Sequence, residues 1–361
     1  MKKLILCFLL LFSVCACTSK DKTLQKYESS SLSIGFDTLI TFSAYLESEE
    51  QFIAYNNIMS EKMGYYHQLF DKYHTYEGIN NLKTINDNAG KDKVIVDQDL
   101  IDMLLLAKTY YTLSDTHFDI TMGNLLNLWH DHREANNNTI PTDSQLKQAS
   151  KYRGFDYLEI NDEENSVYIT NENVSLDVGA IAKGYAVDQT IRHLKAEGLN
   201  HALLNAGGNV YFIGPKPSGP WSIGLQIPDI NQMQTDSLIS FLVDQDMSFV
   251  TSGDYQRFYM VDDQLYHHII DPITMMPASY FRSVTVLCEN SAIADVLSTS
   301  LFTMSYEDGL ALIEKVKANE NIDIKAIWVF DDTNDLPTNV EYITKDKYKI
   351  ILSQGLEEMM K

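Results

Sequence analysis

The chain has 361 residues and a formal net charge of −22, from 28 Lys and Arg against 50 Asp and Glu. So large a negative excess disfavours nucleic acid and anionic lipid surfaces as partners. An anionic substrate must therefore be met by local donors or by a metal.

In chain order, Met1-Lys2-Lys3 precedes an apolar run over 4–12, and Ser13-Val14-Cys15-Ala16-Cys17 follows. A basic start, an apolar run too brief to span as a stable helix and small residues before a break describe a signal peptide over 1–16. The break at Cys17, with Val14 and Ala16 before it, resembles the lipobox of bacterial lipoproteins. Cys17 is then lipidated, and acyl chains hold the protein on the extracytoplasmic face of the cell membrane. The alternative is an ordinary secretory signal with Cys17 incidental. Residues 17–32 are polar and read as a tether, and 33–361 as one domain. With Cys7 and Cys15 removed and Cys17 lipidated, only Cys288 remains, so stability comes from a core and not from a disulfide.

Alternation over 33–45 predicts a strand, and apolar spacing over 51–72 a helix. A polar, Asn-rich loop is expected over 73–93, then a helix at 100–113, led by Asp97 and Asp99. Residues 118–129 read as an apolar helix or turn, 131–141 as a loop, and 143–150 as a short helix. His130-Asp131-His132 is read as solvated loop, because no further zinc ligands lie nearby. Strands follow near 157–160 and 167–170, and a helix over 179–197 stops at Gly198. Short strands crowd 201–288, and Cys288 reads as a buried strand residue. Helices at 292–304 and 307–317 precede a strand at 325–330. Strands clustered between helices imply an α+β, two-layer fold with a largely antiparallel sheet flanked by helices.

Five clusters carry chemistry. Asp295 and Thr299 lie one helical turn apart in an apolar stretch, so a carboxylate and a hydroxyl share a face. Hard oxygens at that spacing suit Mg²⁺, which keeps positions open for phosphate oxygens. Asp177-Val-Gly-Ala-Ile-Ala-Lys-Gly-Tyr-Ala-Val-Asp188 places a helix start beside Lys183. That suits phosphate binding, and equally a tightly packed helix with a surface lysine. Asn205-Ala-Gly-Gly-Asn209 offers exposed amides or simply a hairpin turn. In Thr251-Ser-Gly-Asp-Tyr-Gln-Arg257, Arg257 either holds a phosphate or pairs with an acid in the sheet. His267 and His268 must face opposite ways on a strand, so only one can enter a site.

Together these segments resemble the FAD:protein FMN transferases of the ApbE family. Asp177–Asp188 is similar to its D-x-G-x-I-A-K-G-Y-A-x-D segment, and Asn205–Asn209 to its N-A-G-G-N. Thr251–Arg257, His268–Pro272 and Ser283–Thr299 resemble its T-S-G-D-Y-x-R, H-I-I-D-P and S-V-T-V…A-D-x-L-S-T. Phe118–Gly123 with Leu128-Trp129 is similar to F-D-x-T-x-G…L-W, while Phe70–Tyr73 and Gly35–Thr38 match more loosely. The matches run in order from about Gly35 to Phe330.

The resemblance implies a single ApbE-type domain that uses Mg²⁺ to move FMN from FAD to a Thr or Ser hydroxyl of an acceptor flavoprotein. The link is a phosphoester and AMP is released. It implies Asp295 and Thr299 as metal ligands with the Ala180 carbonyl and Ser298 nearby. Asp177, Lys183, His268 and Ile269 would line the FAD site. Tyr73 would flank the isoalloxazine, with His117, Phe118, Asp119 and Phe36 also touching FAD. His268 is a candidate base, with a carboxylate or no dedicated group as the alternatives. Acceptors would be Rnf- or Nqr-type subunits or other extracytoplasmic flavoproteins. Competing readings are a metal-dependent FAD pyrophosphatase and a non-catalytic flavin-binding lipoprotein. Met275 stands where the family usually has Gly, which is expected to change that turn.

Overall fold

The computed structural model describes residues 23–135, 138–230, 236–332, 334 and 336–361. The segment 1–16 read as a signal peptide, and Cys17, lie outside them. The elements are, in order, β1 (Gln25–Ser31), β2 (Ile40–Leu46), α1 (Glu49–Phe70), α2 (Leu82–Asp87), β3 (Val94–Ile95), α3 (Gln98–Leu113), α4 (Gly123–Ala135) and α5 (Asp143–Ala149). Then come β4 (Leu158–Asn161), β5 (Ser166–Ile169), α6 (Ala182–Ala196), β6 (Ala202–Ala206), β7 (Asn209–Ile213), β8 (Trp221–Gln226) and β9 (Ser237–Val243). The chain continues with β10 (Met247–Gly253), β11 (Phe258–Val261), β12 (Gln264–His267), β13 (Ser283–Cys288), α7 (Ser291–Phe302), α8 (Tyr306–Glu320), β14 (Lys325–Asp331), β15 (Ile343–Lys345) and β16 (Tyr348–Leu352).

A nine-stranded sheet runs β1-β2-β6-β7-β10-β13-β14-β16-β15. Every pair of named strands is antiparallel. The two faces are separated by side-chain alternation, the period-2 rule of a pleated strand. On β14, Ala326, Trp328 and Phe330 join the large core under the helices. Ile327 and Val329 point the other way, onto Trp221, Leu225 and Phe241 of the β8–β9 hairpin. The sheet is thus covered by helices on one side and by a hairpin on the other, consistent with the α+β expectation.

Helix α1 buries Phe52, Met59, Met63, Tyr66, Leu69 and Phe70 along one stripe, and Ser48 caps it by accepting from the Gln51 amide. In α7 every residue but Thr299 is buried, so it is a central helix with one polar opening.

Several boundaries differ from the sequence reading. Residues 25–31, assigned to the tether, pair with β2 as an edge strand, because Glu28 accepts from Ser43 and Tyr27 stacks on Phe52. Inside the supposed 73–93 loop, Asn81 and Thr84 form a capping box that starts α2 over buried Leu82 and Ile85. Helix α4 runs to Ala135, so His130-Asp131-His132 is helical and not loop. Finally, α6 starts at Ala182, leaving Gly179 and Ala180 in the turn before it.

Candidate active site

A cleft of about 380 Å³ opens where the α6 and α7 starts meet the ends of the central strands. That is within the range of small-molecule sites. Its walls come from the 36–38 loop, the segment after α1, the 117–122 turn, α4, the Asp177–Lys183 turn, the Gly207-Gly208 hairpin, the end of β10 and the base of the β11–β12 hairpin. Phe36, Tyr73, His117, Phe118, Asp119, Asp177, Ala180, Lys183, His268, Ile269, Asp295 and Thr299 all line it. Ser298 does not line it but stands behind it, sharing a 2.9 Å hydrogen bond with Ser252, which also lies 3.3 Å from the Thr299 hydroxyl.

The floor is oxygen-rich. Asp295 is only 5% exposed, and its Oδ2 accepts from the Gly184 amide at 2.7 Å. Its Oδ1 has no hydrogen-bond partner among the described residues. Burial raises the Asp295 pKa, opposed by the Lys183 charge and the Gly184 hydrogen bond. A half-satisfied buried carboxylate facing a cleft fits a cation, which would offset the desolvation cost of its charge. Among the described residues no cluster of three His, Cys, Asp or Glu could hold a metal. An ion here would be held by Asp295 together with neutral oxygens of the lining, such as the Thr299 hydroxyl. That donor set suits Mg²⁺, which keeps waters and takes phosphate oxygens.

Cations surround this floor in an otherwise acidic molecule. Lys183 and Arg257 have no carboxylate partner among the described residues. The sheet-pairing role considered for Arg257 belongs instead to Arg282, whose Nε donates to Asp254 at 2.6 Å and Nη1 to Asp331 at 3.2 Å. Of the two histidines, His267 turns inward, its Nε2 donating to the Ala278 carbonyl at 2.6 Å, and His268 lines the cleft. His268 Nδ1 donates to the Arg257 carbonyl at 3.2 Å, so the neutral ring keeps its lone pair on Nε2. Burial first, then neighbouring His267 and the charges of Arg257, Lys183 and Arg133, push the His268 pKa down.

The opposite end is aromatic. Asp71 accepts from the Tyr73 and His74 amides and from the Tyr76 hydroxyl, folding the segment after α1 so that Tyr73 stands 55% exposed in the cleft. Phe36 takes a left-handed backbone, φ 60°, and its amide donates to His67 Nδ1 at 3.1 Å, with the two rings edge to face. Asp119 accepts from the Thr121 amide and hydroxyl, and burial raises its pKa. His117 Nδ1 donates to the Thr303 carbonyl at 3.0 Å, tying this wall to the end of α7.

The Gly-Gly pair is both things the sequence allowed. Gly207 and Gly208, at φ 61° and 89°, make the two-residue β6–β7 turn, and both line the cleft. A model of the ApbE family matches residues 36–324. The chain belongs to the ApbE family.

Curated relatives in this family include proteins named FAD:protein FMN transferase from Vibrio cholerae and Klebsiella pneumoniae. The first is 30% identical over 246 residues, 68% of this chain and 72% of the relative. The second is 30% identical over 271 residues, 73% and 80% of the two chains. Among solved structures, the ApbE protein of Thermotoga maritima superposes with a TM-score of 0.71 at 29% identity, covering 84% of this chain and 94% of that one. The flavin transferase ApbE from Vibrio cholerae gives 0.73 at 23% identity over 93% and 99%, a likeness of fold.

This ApbE-family cleft also holds residues that the sequence reading passed over. His130 and Arg133, on the helix taken for a loop, line it, with Arg133 Nη2 donating to His130 Nδ1 at 2.8 Å. Their spacing of three on an amphipathic helix was the available signal, masked by the Asn136–Asn138 run that follows. Lys72 is a second omission, and only the fold reveals its partners. The Met275 turn survives without glycine: Met275 sits at φ 62°, its amide donates to the Asp271 carbonyl at 2.8 Å, and Trp129 Nε1 donates to the Met275 carbonyl.

Proposed function

We propose that this cleft binds FAD with Mg²⁺ and transfers FMN to a Thr or Ser hydroxyl of an acceptor flavoprotein, forming a phosphoester and releasing AMP. The observation that carries the reading is Asp295. Its buried carboxylate with one unpartnered oxygen, beside Lys183, lies at the floor of a cleft whose other end is the exposed ring of Tyr73. A dinucleotide with an aromatic end and a diphosphate matches that polarity.

In this reading Tyr73 stacks on the isoalloxazine, and Phe36 with the His117–Asp119 turn encloses it. Lys183 and Arg257 meet the diphosphate, and the Gly207–Gly208 backbone lets it approach closely. Asp295 and Thr299 with the Ala180 carbonyl would hold Mg²⁺, and Ser298 would orient Thr299 through Ser252. The ion, when bound, neutralises phosphate charge and stabilises the AMP leaving group. His268 Nε2 accepts the proton of the incoming hydroxyl. The cations that depress its basicity are the ones a bound diphosphate would counter.

The experiment is incubation with FAD, Mg²⁺ and a candidate acceptor, such as an Rnf- or Nqr-type subunit, followed by in-gel flavin fluorescence and AMP quantitation. A fluorescent acceptor band with matching AMP is expected. Free FMN as the main product in the presence of acceptor would make the protein a pyrophosphatase, and unchanged bound flavin would make it a carrier. We further place the protein on the extracytoplasmic face of the membrane through lipid on Cys17. Cys17→Ala is then expected to move it to the soluble fraction.

A further inference from the structure

We propose that Lys72 is a positioning residue that sets the distance between the two ends of the cleft, so that a ligand reaching both ends is bound better than either half alone. The inference rests on the cleft being the FAD site. The Lys72 side chain is 12% exposed, and its ammonium meets hydrogen-bond acceptors on two other segments and the ring of its chain neighbour Tyr73. One hydrogen goes to Asp177 Oδ2 at 2.6 Å, in the turn before α6. Another goes to Asn127 Oδ1 at 2.7 Å, on α4. The ammonium also lies 5.0 Å from the centroid of the Tyr73 ring, within cation–π range.

Each partner belongs to a different functional wall. Asp177 Oδ1 accepts from the Gly179 amide at 2.9 Å, so the carboxylate held by Lys72 also fixes the turn that carries the Ala180 carbonyl. Tyr73 is the exposed ring at the aromatic end, and α4 brings His130 within 6.4 Å of it. Burial, the largest influence, would lower the Lys72 pKa, but Asp177 and Tyr73 together more than offset it and the lysine stays charged. With two hydrogens bonded to Asn127 and Asp177 and the ammonium against the Tyr73 ring, Lys72 is committed to the cleft's walls, unlike Lys183 and Arg257, which have no carboxylate partner among the described residues. Its contribution to binding is preorganisation: it removes the cost of aligning two walls when one ligand bridges them.

The test compares ligands that touch one end with the ligand that touches both. Binding of FAD, FMN and AMP to the full-length protein is measured by calorimetry with Mg²⁺ present, for wild type, Lys72→Met and Asn127→Ala. Lys72→Met is expected to weaken FAD about tenfold while FMN and AMP each change less than about twofold. Asn127→Ala keeps the Asp177 pair and is expected to shift in the same selective way by a smaller factor. It serves alone if Lys72→Met does not fold. An equal loss for AMP would make Lys72 a phosphate ligand and overturn the inference, as would unchanged FAD affinity in both variants. A uniform loss for all three ligands with a lowered Tm would reduce it to a fold residue. Failure of wild type to bind FAD at all would instead sink the reading of the cleft itself.

Discussion

The amide of Gly184 donates to Asp295 Oδ2 at 2.7 Å, and a Cβ at Gly184 would lie 2.4 Å from both the Asp295 Cβ and the Ser291 carbonyl oxygen. Helix α6 can press against α7 at this point only because residue 184 has no side chain. Gly184→Ala must push the helix starts apart, since backbone cannot yield as a flexible side chain can. A cost of about 2 kcal/mol is expected from overpacking. Transfer should fall further than stability, because the Asp295 carboxylate moves with its helix. Thermal melts beside initial rates, taken where the variant is still folded, check both.

Asp295→Asn should separate metal binding from folding. The amide is nearly isosteric, can still accept from Gly184, and removes a carboxylate whose charge burial disfavours. Without metal the variant should melt at or above the wild-type temperature. Mg²⁺ should raise the Tm of wild type and leave the variant unmoved. Transfer should be abolished, and full activity in the variant would refute the assignment.

Acid sensitivity should trace to His267. Its Nε2 donates to the Ala278 carbonyl and its Nδ1 accepts from the Ile269 amide at 3.2 Å, so the ring is satisfied only when neutral. Burial pushes its pKa from 6.5 down to about 4. The unfolded chain therefore takes up a proton first: stability is full above pH 6.5 and declines as pH falls towards 4. The loss is on the order of 3 kcal/mol. His267→Gln should start lower but show a flatter Tm profile across that window.

Met275→Gly is expected to stabilise the protein by about 1 kcal/mol. Met275 holds a left-handed backbone at φ 62°, which costs a side-chain-bearing residue about 1–2 kcal/mol, only partly returned by glycine's freedom in the unfolded state. Denaturant midpoints at equal m-value measure the difference. An unchanged or lower midpoint would mean that Met275 packing against the Trp129 cluster outweighs the strain.

The site was legible where chemistry is written as local sequence. Asp295 and Thr299 advertise themselves by helical spacing, and Gly207-Gly208 by being two glycines after a strand. Lys72 was not legible, because its meaning lies in Asp177 and Asn127, 105 and 55 residues away. For the fold, short apolar runs marked the central strands, where both faces are buried by different layers. They missed β1, whose Gln25-Lys-Tyr-Glu-Ser-Ser-Ser31 is polar because an edge strand needs only one neighbour. They also missed β15 and β16 at the opposite edge. One boundary was hidden where asparagine acts as a cap, at Asn81, since the same residue also favours loops.

The pairing of Gln25–Ser31 with β2 shortens the leash. With Cys17 lipidated as proposed, only residues 18–24 separate the bilayer from the sheet, a span of at most about 25 Å fully stretched. The catalytic body would then patrol a thin shell above the lipid headgroups. Only hydroxyls presented at that height, on proteins themselves moored to the same membrane or brought down to it, could be within its reach.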